Sequence, residues 1–396
     1  MSTTSVLVLD GSQRSALAAV RSLGKRGLHV SVADRIANSL AAASRYCRQS
    51  YGYPDPIVNP KGFSDAVAEI ADLRQSSYVL PMTDLSTMIL AADGRLGSRL
   101  MSPSYDAYSE LSDKAKLISR ARMLGVAVPT TYVAANLTEA EDALSHLQPP
   151  IVIKPAKSRY WHSGRVHSTQ VSVAMTQADA ARLLAASDWL GRIPALLQEF
   201  IPGYGAGVFA LFCKGEPVAW FAHKRVREKP PQGGVSVLCE STPLDELLVR
   251  QCADILRSVT WSGPAMLEFK VSWDGKPYLM EVNARFWGSL QLAIDCGIDF
   301  PWLLYRCVNG EQIETTGQYV VGRRLHWLLG DVDSTLIQLR DQGRQYSAAQ
   351  KVHATLDLIF ATFHPKVRAE ILRWGDPFPA LIEFRQWLIA LARRRA

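Results

Sequence analysis

Long apolar runs are missing from this 396-residue sequence, which has no stretch of about 18 apolar residues of the kind that crosses a bilayer as a helix. A secretory leader is not indicated either, because the run Ser5–Leu9 is short and no basic segment precedes it. These absences predict a protein without a transmembrane segment, located in the cytoplasm.

Cysteine is sparse, and its six positions show neither a C-x-x-C pair nor a nearby cluster of histidines. This scatter favours reduced thiols over disulfides or a zinc site. The six residues are Cys47, Cys213, Cys239, Cys252, Cys296 and Cys307.

A large excess of one charge is also missing, since the formal net charge of +7 is small for this length. Such a balance can assist the binding of phosphorylated or acidic ligands, but it does not indicate a nucleic-acid partner. A hydrophobic content of 48% with 20% charged residues excludes an intrinsically disordered chain, and the length suffices for two or three domains.

The N-terminal part of the chain alternates short apolar strands with helical patterns. Strands are predicted at Ser5–Asp10, Leu28–Asp34 and Tyr78–Met82, with helices over 14–26 and about 64–73. Alternation of this kind predicts a parallel α/β sheet that is covered by helices.

Glycine is scarce in the first strand–helix turn, which bears on a dinucleotide-binding interpretation. Asp34, at the end of the second predicted strand, resembles the acid that binds ribose in dinucleotide folds. The turn Asp10–Ala16, however, has one glycine where the G-x-G-x-x-G pattern has three. An NAD-dependent oxidoreductase therefore stays an alternative that rests on this domain alone.

Two acidic residues are predicted to face each other across a β-hairpin in the segment Ala265–Arg285. Asp274-Gly275 favours a two-residue turn, because both central positions of a type I′ turn need a positive φ. Such a turn would place Glu268 directly opposite Glu281. Like charges in that position destabilise a sheet, so a divalent cation with oxygen ligands is expected between them. A solvated hairpin is the alternative.

The strand after the turn is predicted to carry further polar side chains on the face of Glu281. Alternation along a strand puts Asn283 and Arg285 on that face and directs Met280 and Val282 to the other face. Carboxylate, amide and guanidinium groups would therefore lie together.

Two lysines are candidates for binding phosphate. Lys154 follows the apolar residues of the short strand Ile151–Pro155 and leads into the loop 156–164, which is rich in cations and hydroxyls. Lys114 lies near the start of a helix predicted over 111–125. Each lysine alone would more often be a solvated surface residue.

Two further segments have an open interpretation. Gln198–Gly203 is predicted to connect two sub-units, where an extended backbone can hydrogen-bond the edge of an adenine, and an ordinary strand is the alternative. In the basic run His223–Gly234, Arg225 and Arg227 would share a face if the run is extended, which suits phosphoryl or carboxylate groups. A solvated charge run is the alternative to a mobile active-site loop.

The order and spacing of these segments resemble the ATP-grasp superfamily over about residues 5–310. The most specific part is Glu268 followed by Glu281-x-Asn283-x-Arg285. The other matching segments are Asp113-Lys114, Val152–Pro155, Gln198–Ile201, Lys224–Arg227 and Phe286–Leu290. The last two are similar to a branch of uncharacterised carboxylate–amine ligases related to carbamoyl-phosphate synthase.

The resemblance implies a role for each matching residue. Glu268, Glu281 and Asn283 would hold one or two Mg²⁺ ions, with Mn²⁺ as the alternative metal. Arg285 would stabilise the phosphoryl group in transfer, and Arg225 and Arg227 would be further catalytic residues. The ATP-binding residues would be Lys114, Lys154 and Lys224 at the phosphates and Gln198, Glu199, Phe200 and Ile201 as the adenine hinge.

The resemblance also implies a fold of mixed α/β and α+β class, in which a two-lobed ATP-grasp fold follows a Rossmann-like domain. The implied parts are a pre-ATP-grasp parallel-sheet domain at 1–110, a small lobe at 111–193, a metal- and nucleotide-binding lobe at 194–330, and a C-terminal helical extension at 331–396.

The implied activity is an ATP-dependent ligase that joins a small-molecule carboxylate to an amine through an acyl phosphate and releases ADP and phosphate. A homodimer is compatible with this activity. The alternatives are activation of bicarbonate or carbamate, as in carbamoyl-phosphate synthase, and a catalytically silent nucleotide-binding protein.

Two positions depart from the family pattern. The loop after Lys154 has one late glycine where family members carry a glycine-rich phosphate loop, and Tyr204–Gly207 stands where an acid often binds ribose. These departures concern the phosphate loop and the ribose contact and leave the metal set intact.

The segment 377–396 is amphipathic and ends in arginines. This pattern predicts a helix docked on the domain, whose C-terminal cations suit the helix dipole. A helix at a membrane surface is the alternative.

Overall fold

The computed structural model describes residues 4–163, 165–231, 233–342 and 345–393. The N-terminal domain consists of β1 (Ser5–Val8), α1 (Arg14–Lys25), β2 (His29–Asp34), β3 (Cys47–Gly52), α2 (Pro60–Leu73), β4 (Tyr78–Leu80), α3 (Asp84–Asp93) and α4 (Tyr105–Ser112), with a short 3₁₀ helix at Gly97–Arg99. Its strands form a parallel sheet in the order β3-β2-β1-β4. The predicted parallel α/β domain is confirmed.

Acidic side chains at the ends of β1 and β2 hold the loops of this sheet. The buried carboxylate of Asp10 accepts hydrogen bonds from the backbone N–H of Met82 at 2.9 Å and from Ser86 Oγ at 2.5 Å. Asp34, the residue compared with a ribose-binding acid, accepts the backbone N–H of Ser12 at 2.6 Å. Asp34 therefore supports the first strand–helix turn.

The small lobe contains a four-stranded antiparallel sheet and a separate two-stranded hairpin. Its elements are α5 (Lys114–Met123), β5 (Thr131–Ala134), α6 (Leu137–Leu144), β6 (Ile151–Pro155), β7 (Arg159–His162), β8 (Arg165–Ser168), β9 (Ser172–Ala174), α7 (Gln177–Ala185) and β10 (Ala195–Glu199). The sheet order is β5-β10-β6-β9, and β7 pairs with β8. This lobe has its own apolar core, which includes Ile151, Trp189 and Leu197.

The large lobe is built on a seven-stranded sheet. Its elements are β11 (Gly203–Cys213), β12 (Glu216–Lys229), β13 (Val235–Ser241), α8 (Glu246–Arg257), β14 (Gly263–Ser272), β15 (Pro277–Asn283), α9 (Leu290–Cys296), α10 (Phe300–Val308), β16 (Arg324–His326), α11 (Leu328–Arg340), α12 (Ala348–Phe363), β17 (Val367–Ala369) and α13 (Phe378–Arg393). The strand order is β15-β14-β11-β12-β13-β16-β17, and only the β16–β17 pair in this described sheet is parallel.

Helix α1 joins the N-terminal domain to the large lobe and to the C-terminal segment. Its residues Leu17 and Val20 share a buried cluster with Leu290 and Phe300 of α9 and α10. The buried Arg21 donates a hydrogen bond from Nε to Asp376 Oδ2 at 2.8 Å. The N-terminal domain is therefore anchored beside the large lobe, where its loops can reach the site described below.

The last helix, α13, is docked on the rest of the molecule, as predicted. Trp387 Nε1 donates to Asp333 Oδ1 at 2.9 Å, and Glu383 Oε1 accepts from Trp327 Nε1 at 2.6 Å. Within the described residues, none of the helices has the length and apolar content that a membrane span requires.

Two of the six cysteines form a disulfide, so the prediction of reduced thiols is wrong for this pair. Cys213 ends β11 and Cys307 lies in α10, with their Cα atoms 6.2 Å apart. Their separation of 94 residues matches no local spacing rule. They meet because α10 packs against β11 in the tertiary structure.

Candidate active site

Glu268 and Glu281 lie directly opposite each other on β14 and β15, as predicted, but the predicted turn is wrong. Ser272 donates its backbone N–H to the carbonyl of Lys276 at 3.0 Å, which closes a three-residue turn with Gly275 at φ +90°. A register shift between Glu268 and Phe269 then compensates for the extra turn residue. The three-residue turn shifts the strand pairing by one residue and the bulge shifts it back, so the two glutamates lie opposite each other.

The register shift also changes the direction of Met280. Alternation predicted that Met280 and Val282 point away from the acids, and Val282 is indeed buried in the core. Met280 is half-buried, and its Sδ lies 3.7 Å from Nζ of Lys154. The prediction for Met280 is wrong because a bulge puts two successive residues opposite one partner.

Each carboxylate of the acid pair has its own cationic neighbour. Glu268 Oε2 lies 2.6 Å from Arg225 Nη2, and Glu281 Oε2 lies 3.6 Å from Lys114 Nζ. Burial raises the pKa of Glu268, Arg225 opposes that rise, and Glu281 adds to it. Burial also acts to raise the pKa of Glu281, but Lys114 and Lys154, together with Asn283 and Arg285, hold this pKa below its ordinary value. Glu281 is therefore the carboxylate kept charged by its surroundings.

The two candidate lysines come from different elements and meet at Glu281. Lys114 opens α5, where the carboxylate of Asp113 accepts the backbone N–H of Ala115 at 3.0 Å. Its buried ammonium donates to Ser158 Oγ at 2.8 Å. Burial lowers the pKa of Lys154 at the end of β6, and Glu281 opposes that effect. Two cations close to one carboxylate form a site that suits polyanionic phosphates.

Arg285 is held beside the acids by the N-terminal domain. Its Nε donates to Asp84 Oδ2 at 2.8 Å, and its Nη2 donates to Asn283 Oδ1 at 3.2 Å. Asn283 Nδ2 donates in turn to Glu281 Oε1 at 3.2 Å. Asp84 is the first residue of α3, and Thr83 and Ser86 form the capping box of this helix. Asp84 could not be predicted from the sequence, because an acid at a helix start is common and nothing local connects it to Arg285.

The cationic side chains of the basic strand β12 pair with different carboxylates and do not all lie on one face. Arg225 contacts Glu268 and also Glu228 Oε1 at 3.0 Å, whereas Arg227 pairs with Asp331 of α11. The prediction that Arg225 and Arg227 share a face is wrong, because the strand register shifts between them. The third cation, Lys224, lies 3.3 Å from Glu240. Of these three predicted residues, Arg225 is the one that contacts the acid pair.

The departure at Tyr204–Gly207 creates room for Arg225. A Cβ atom on Gly205 would lie 2.9 Å from Arg225 Cδ and 3.1 Å from Glu228 Oε1. A side chain at this position would therefore push against the ion pair that Arg225 forms.

The predicted hinge connects the two lobes. Gln198 and Glu199 end β10 of the small-lobe sheet, and β11 of the large lobe begins at Gly203. Gln198 is buried and donates to Thr131 Oγ1 at 2.8 Å, so its side chain is used internally. Phe200 is exposed and Ile201 is buried. The backbone N–H of Glu199 is donated to the carbonyl of Thr130 at 3.0 Å.

Two cavities meet at the acid hairpin. The first has a volume of about 650 Å³ and lies between α4, the β7–β8 hairpin and β15. The second has a volume of about 340 Å³ and lies between β12–β14 and the loop after β15. Three residues line both cavities, and they are Glu281, Asn283 and Arg285.

Cations are concentrated in the first cavity. The glycine-poor segment after Lys154 forms the β7–β8 hairpin, which lines this cavity with hydroxyl, guanidinium and imidazole groups, while Gly164 is outside the described residues. The cationic lining residues are Lys114, Lys157, Arg159, Arg192 and Arg285. This composition favours an anionic ligand such as a nucleotide phosphate chain.

The oxygen ligands near the acid pair fit a hard divalent cation. Two carboxylates and one amide oxygen suit Mg²⁺ or Mn²⁺, which would complete their coordination with water or phosphate oxygens. In the described parts of the chain, no group of three or more His, Cys, Asp or Glu residues forms a metal cluster. Any metal at the hairpin would therefore take part of its coordination from water or phosphate oxygens.

The fold and this residue set are similar to those of ATP-grasp proteins, and comparisons with known proteins agree. The family described as "ATP-grasp in the biosynthetic pathway with Ter operon" matches residues 192–328, which include the acid hairpin. The carbamoyl phosphate synthase large chain of Pyrococcus furiosus is 25% identical over 197 residues, which are 48% of this chain and 18% of that protein. The chain thus spans less than a fifth of that relative's length.

Two solved structures have the same fold. The biotin carboxylase domain of 2-oxoglutarate carboxylase from Hydrogenobacter thermophilus, solved with MgADP and bicarbonate, has a TM-score of 0.64 at 13% identity, covering 82% of this chain and 73% of that chain. The L-amino acid ligase of Bacillus licheniformis has a TM-score of 0.60 at 16% identity, covering 77% and 74%. These likenesses confirm the resemblance to the ATP-grasp superfamily and the fold class.

Replacing Asp84 by asparagine is expected to lower maximal ATP turnover about tenfold with little change in the apparent affinity for ATP. The carboxylate holds Arg285 through a charged hydrogen bond, and the amide keeps the shape but loses the charge. Steady-state ADP release at varied ATP concentration measures both quantities.

Asp93→Asn on the same helix is the matched control, because Asp93 pairs with Arg95 on the surface. In a background of Arg285→Ala, Asp84→Asn should cause no further loss, since its effect acts through the missing guanidinium. A loss of the same size in both backgrounds would contradict this positioning role.

Proposed function

We propose that this protein is an ATP-dependent carboxylate–amine ligase that forms an amide-type bond through an acyl phosphate. The observation that carries the proposal is the meeting of two cavities at Glu281, Asn283 and Arg285. One cavity is rich in cations and suits ATP, and the other suits an acceptor substrate. A phosphoryl group could therefore be transferred from ATP in one cavity to the acceptor in the other at the boundary between the two cavities.

The cation-rich cavity is the proposed ATP site. Lys114, which lines this cavity, and Lys154, which lies outside its lining but acts on Glu281, are the proposed phosphate-binding residues. Lys224 is a further candidate from the sequence pattern, although it pairs with Glu240 and lines neither of the two cavities. The connection Gln198–Ile201 lies outside both linings and is the proposed contact for the adenine. Glu268, Glu281 and Asn283 would hold one or two Mg²⁺ ions, with Mn²⁺ as a substitute, and the metal would neutralise phosphate charge when bound.

The proposed reaction has two steps. A carboxylate oxygen of the substrate attacks the γ-phosphorus while the bond from that phosphorus to the β,γ-bridging oxygen breaks, which gives ADP and an acyl phosphate. The amine nitrogen then attacks the acyl carbon, phosphate leaves, and the nitrogen loses a proton. Arg285 balances charge on the transferring group, and Arg225 is the proposed second cation at the acceptor side.

Bicarbonate or carbamate is the second candidate substrate class. Two relatives favour it, since one is a carbamoyl phosphate synthase chain and another was solved with MgADP and bicarbonate. The L-amino acid ligase favours the amide-forming reaction. A catalytically silent nucleotide-binding protein is disfavoured, because binding alone does not require Arg285 to be aligned by two partners.

Pairs of amino acids and small carboxylates are expected to stimulate ADP release, and one carboxylate alone should form a hydroxamate when hydroxylamine replaces the amine. Hydroxylamine traps an acyl phosphate because it attacks the same acyl carbon. Colorimetric detection of the hydroxamate and mass analysis of the amide measure the two steps. ADP release that needs bicarbonate and yields no hydroxamate would overturn the ligase proposal in favour of the second candidate.

The proposed setting of the reaction is the cytoplasm, where ATP is available. The partners are small-molecule substrates, and a homodimer is the proposed alternative to a monomer.

A further inference from the structure

The two helices α12 and α13 expose apolar side chains at helical spacing. On α12 these are Val352, Leu356, Ile359, Phe360 and Phe363, and on α13 they are Phe378, Leu381, Phe384, Leu388 and Ile389. Trp374 in the connection is 93% exposed, and Phe363 is 81% exposed. We call these eleven residues the C-terminal apolar face. Aromatic residues of this size are rarely exposed together on a protein surrounded by water alone.

Both helices border the same cavity, whose lining is mostly apolar and includes Phe384 of this face. The cavity has a volume of about 250 Å³ and is lined by Ala361 of α12, Phe384 of α13 and Ile371 between them. The side of α13 that carries Glu383 and Trp387 is hydrogen-bonded to Trp327 and to Asp333 of α11. The docked helix therefore keeps a second apolar side that the described residues do not cover.

The exposed charges beside the C-terminal apolar face are almost all positive. Lys366, Arg385 and Arg393 are exposed, and the sequence continues with further arginines. Among the acids of the segment, Glu370 and Asp376 are buried with Arg14 and Arg21. Glu383 accepts from Trp327, and Asp357 is half-buried 3.3 Å from His353. A surface that combines apolar side chains with cations is complementary to an anionic lipid layer.

A second copy of this chain fits the same surface less well. A two-fold dimer places a patch against the same patch of its partner, so each cation would approach like charges. Negatively charged headgroups would instead neutralise the cations while the aromatic side chains enter the interface between headgroups and acyl chains.

We propose that the C-terminal apolar face binds the surface of an anionic phospholipid membrane, with α12 and α13 lying on it and neither helix crossing it. The ATP site is formed by other elements, so membrane binding and catalysis are separable. The proposal does not depend on the identity of the ligase substrates.

Flotation with two kinds of vesicle tests this proposal. The protein is expected to float with vesicles in which about a third of the lipid is phosphatidylserine, and much less with phosphatidylcholine alone. The double variant Phe363→Ser, Trp374→Ser should reduce the bound fraction about tenfold, because it removes two exposed aromatic anchors. The double variant Lys366→Glu, Arg385→Glu should lower the fraction of protein bound to the anionic vesicles, and added salt should lower this fraction for the wild type.

Leu73→Ser with Leu247→Ser is the matched control, since both leucines are exposed on other helices, at 69% and 67%. This control should float like the wild-type protein, and all variants should keep wild-type ATP turnover. Equal flotation of the Phe363→Ser, Trp374→Ser variant and the wild type would overturn the proposal. A wild-type dimer in light scattering that this variant disperses, without vesicle binding, would overturn it in favour of a second copy.

Discussion

Replacement of Glu281 by glutamine should abolish Mg²⁺-dependent ATP turnover, with a loss of at least about a hundredfold. Glu281 is the carboxylate that lines both cavities, accepts from Asn283 and is kept charged by Lys114 and Lys154. Glutamine has nearly the same volume but removes the charge that a metal ion and both lysines require. ADP release at saturating ATP and metal measures the loss.

Glu246→Gln is the control for this variant, because Glu246 is an exposed residue of α8 that pairs only loosely with Arg250, at 3.4 Å. Thermal unfolding of both variants should stay close to that of the wild type, which separates a site effect from a folding defect. Wild-type turnover by the Glu281→Gln variant under saturating conditions would show that the metal assignment is wrong.

Replacement of Arg285 by alanine should lower the maximal rate about a hundredfold while the apparent affinity for ATP changes much less. Asp84 and Asn283 hold the guanidinium at the boundary of the two cavities, where charge would build up on a transferring phosphoryl group. A group that acts in the transition state changes the rate more than the ground-state binding. Steady-state kinetics at varied ATP concentration separates the two effects.

Arg285→Lys should recover part of the rate, because an ammonium restores the charge without the two-pronged hydrogen bonding to Asp84 and Asn283. Arg250→Ala is the control, since Arg250 is an exposed residue of α8. If Arg285→Ala raised the KM for ATP and left the maximal rate unchanged, Arg285 would be a binding residue only.

Much of the site was predictable because its parts obey local rules. The parallel N-terminal sheet follows from alternating strand and helix patterns. The helix predicted over 111–125 starts three residues later, at Lys114, because Asp113 caps it and separates it from α4. The opposition of Glu268 and Glu281 was also predicted, although the turn has three residues and a compensating bulge restores the register. A bulge costs little and depends on packing, so a two-residue turn rule cannot detect it.

Other parts could not be predicted because they depend on contacts between segments far apart in the chain. Asp84 reaches Arg285 from the N-terminal domain, and Cys213 meets Cys307 where α10 packs on β11. Arg227 pairs with Asp331 of α11, about a hundred residues further along the chain. The charge pattern along one strand cannot predict which distant residue each of its side chains will contact.

The sequence by itself determined the residue types of the site and their placement on strands and helix starts, because propensity, side-chain alternation and capping act over a few residues. The tertiary structure alone decided which cation pairs with which carboxylate, since a register shift separates Arg225 and Arg227 and directs them to Glu268 and Asp331. The tertiary structure also decided which side of α13 is covered, because Trp387 on one side donates a hydrogen bond to Asp333 of α11. The amphipathic pattern showed that this helix has an apolar side, and only packing could leave that side exposed.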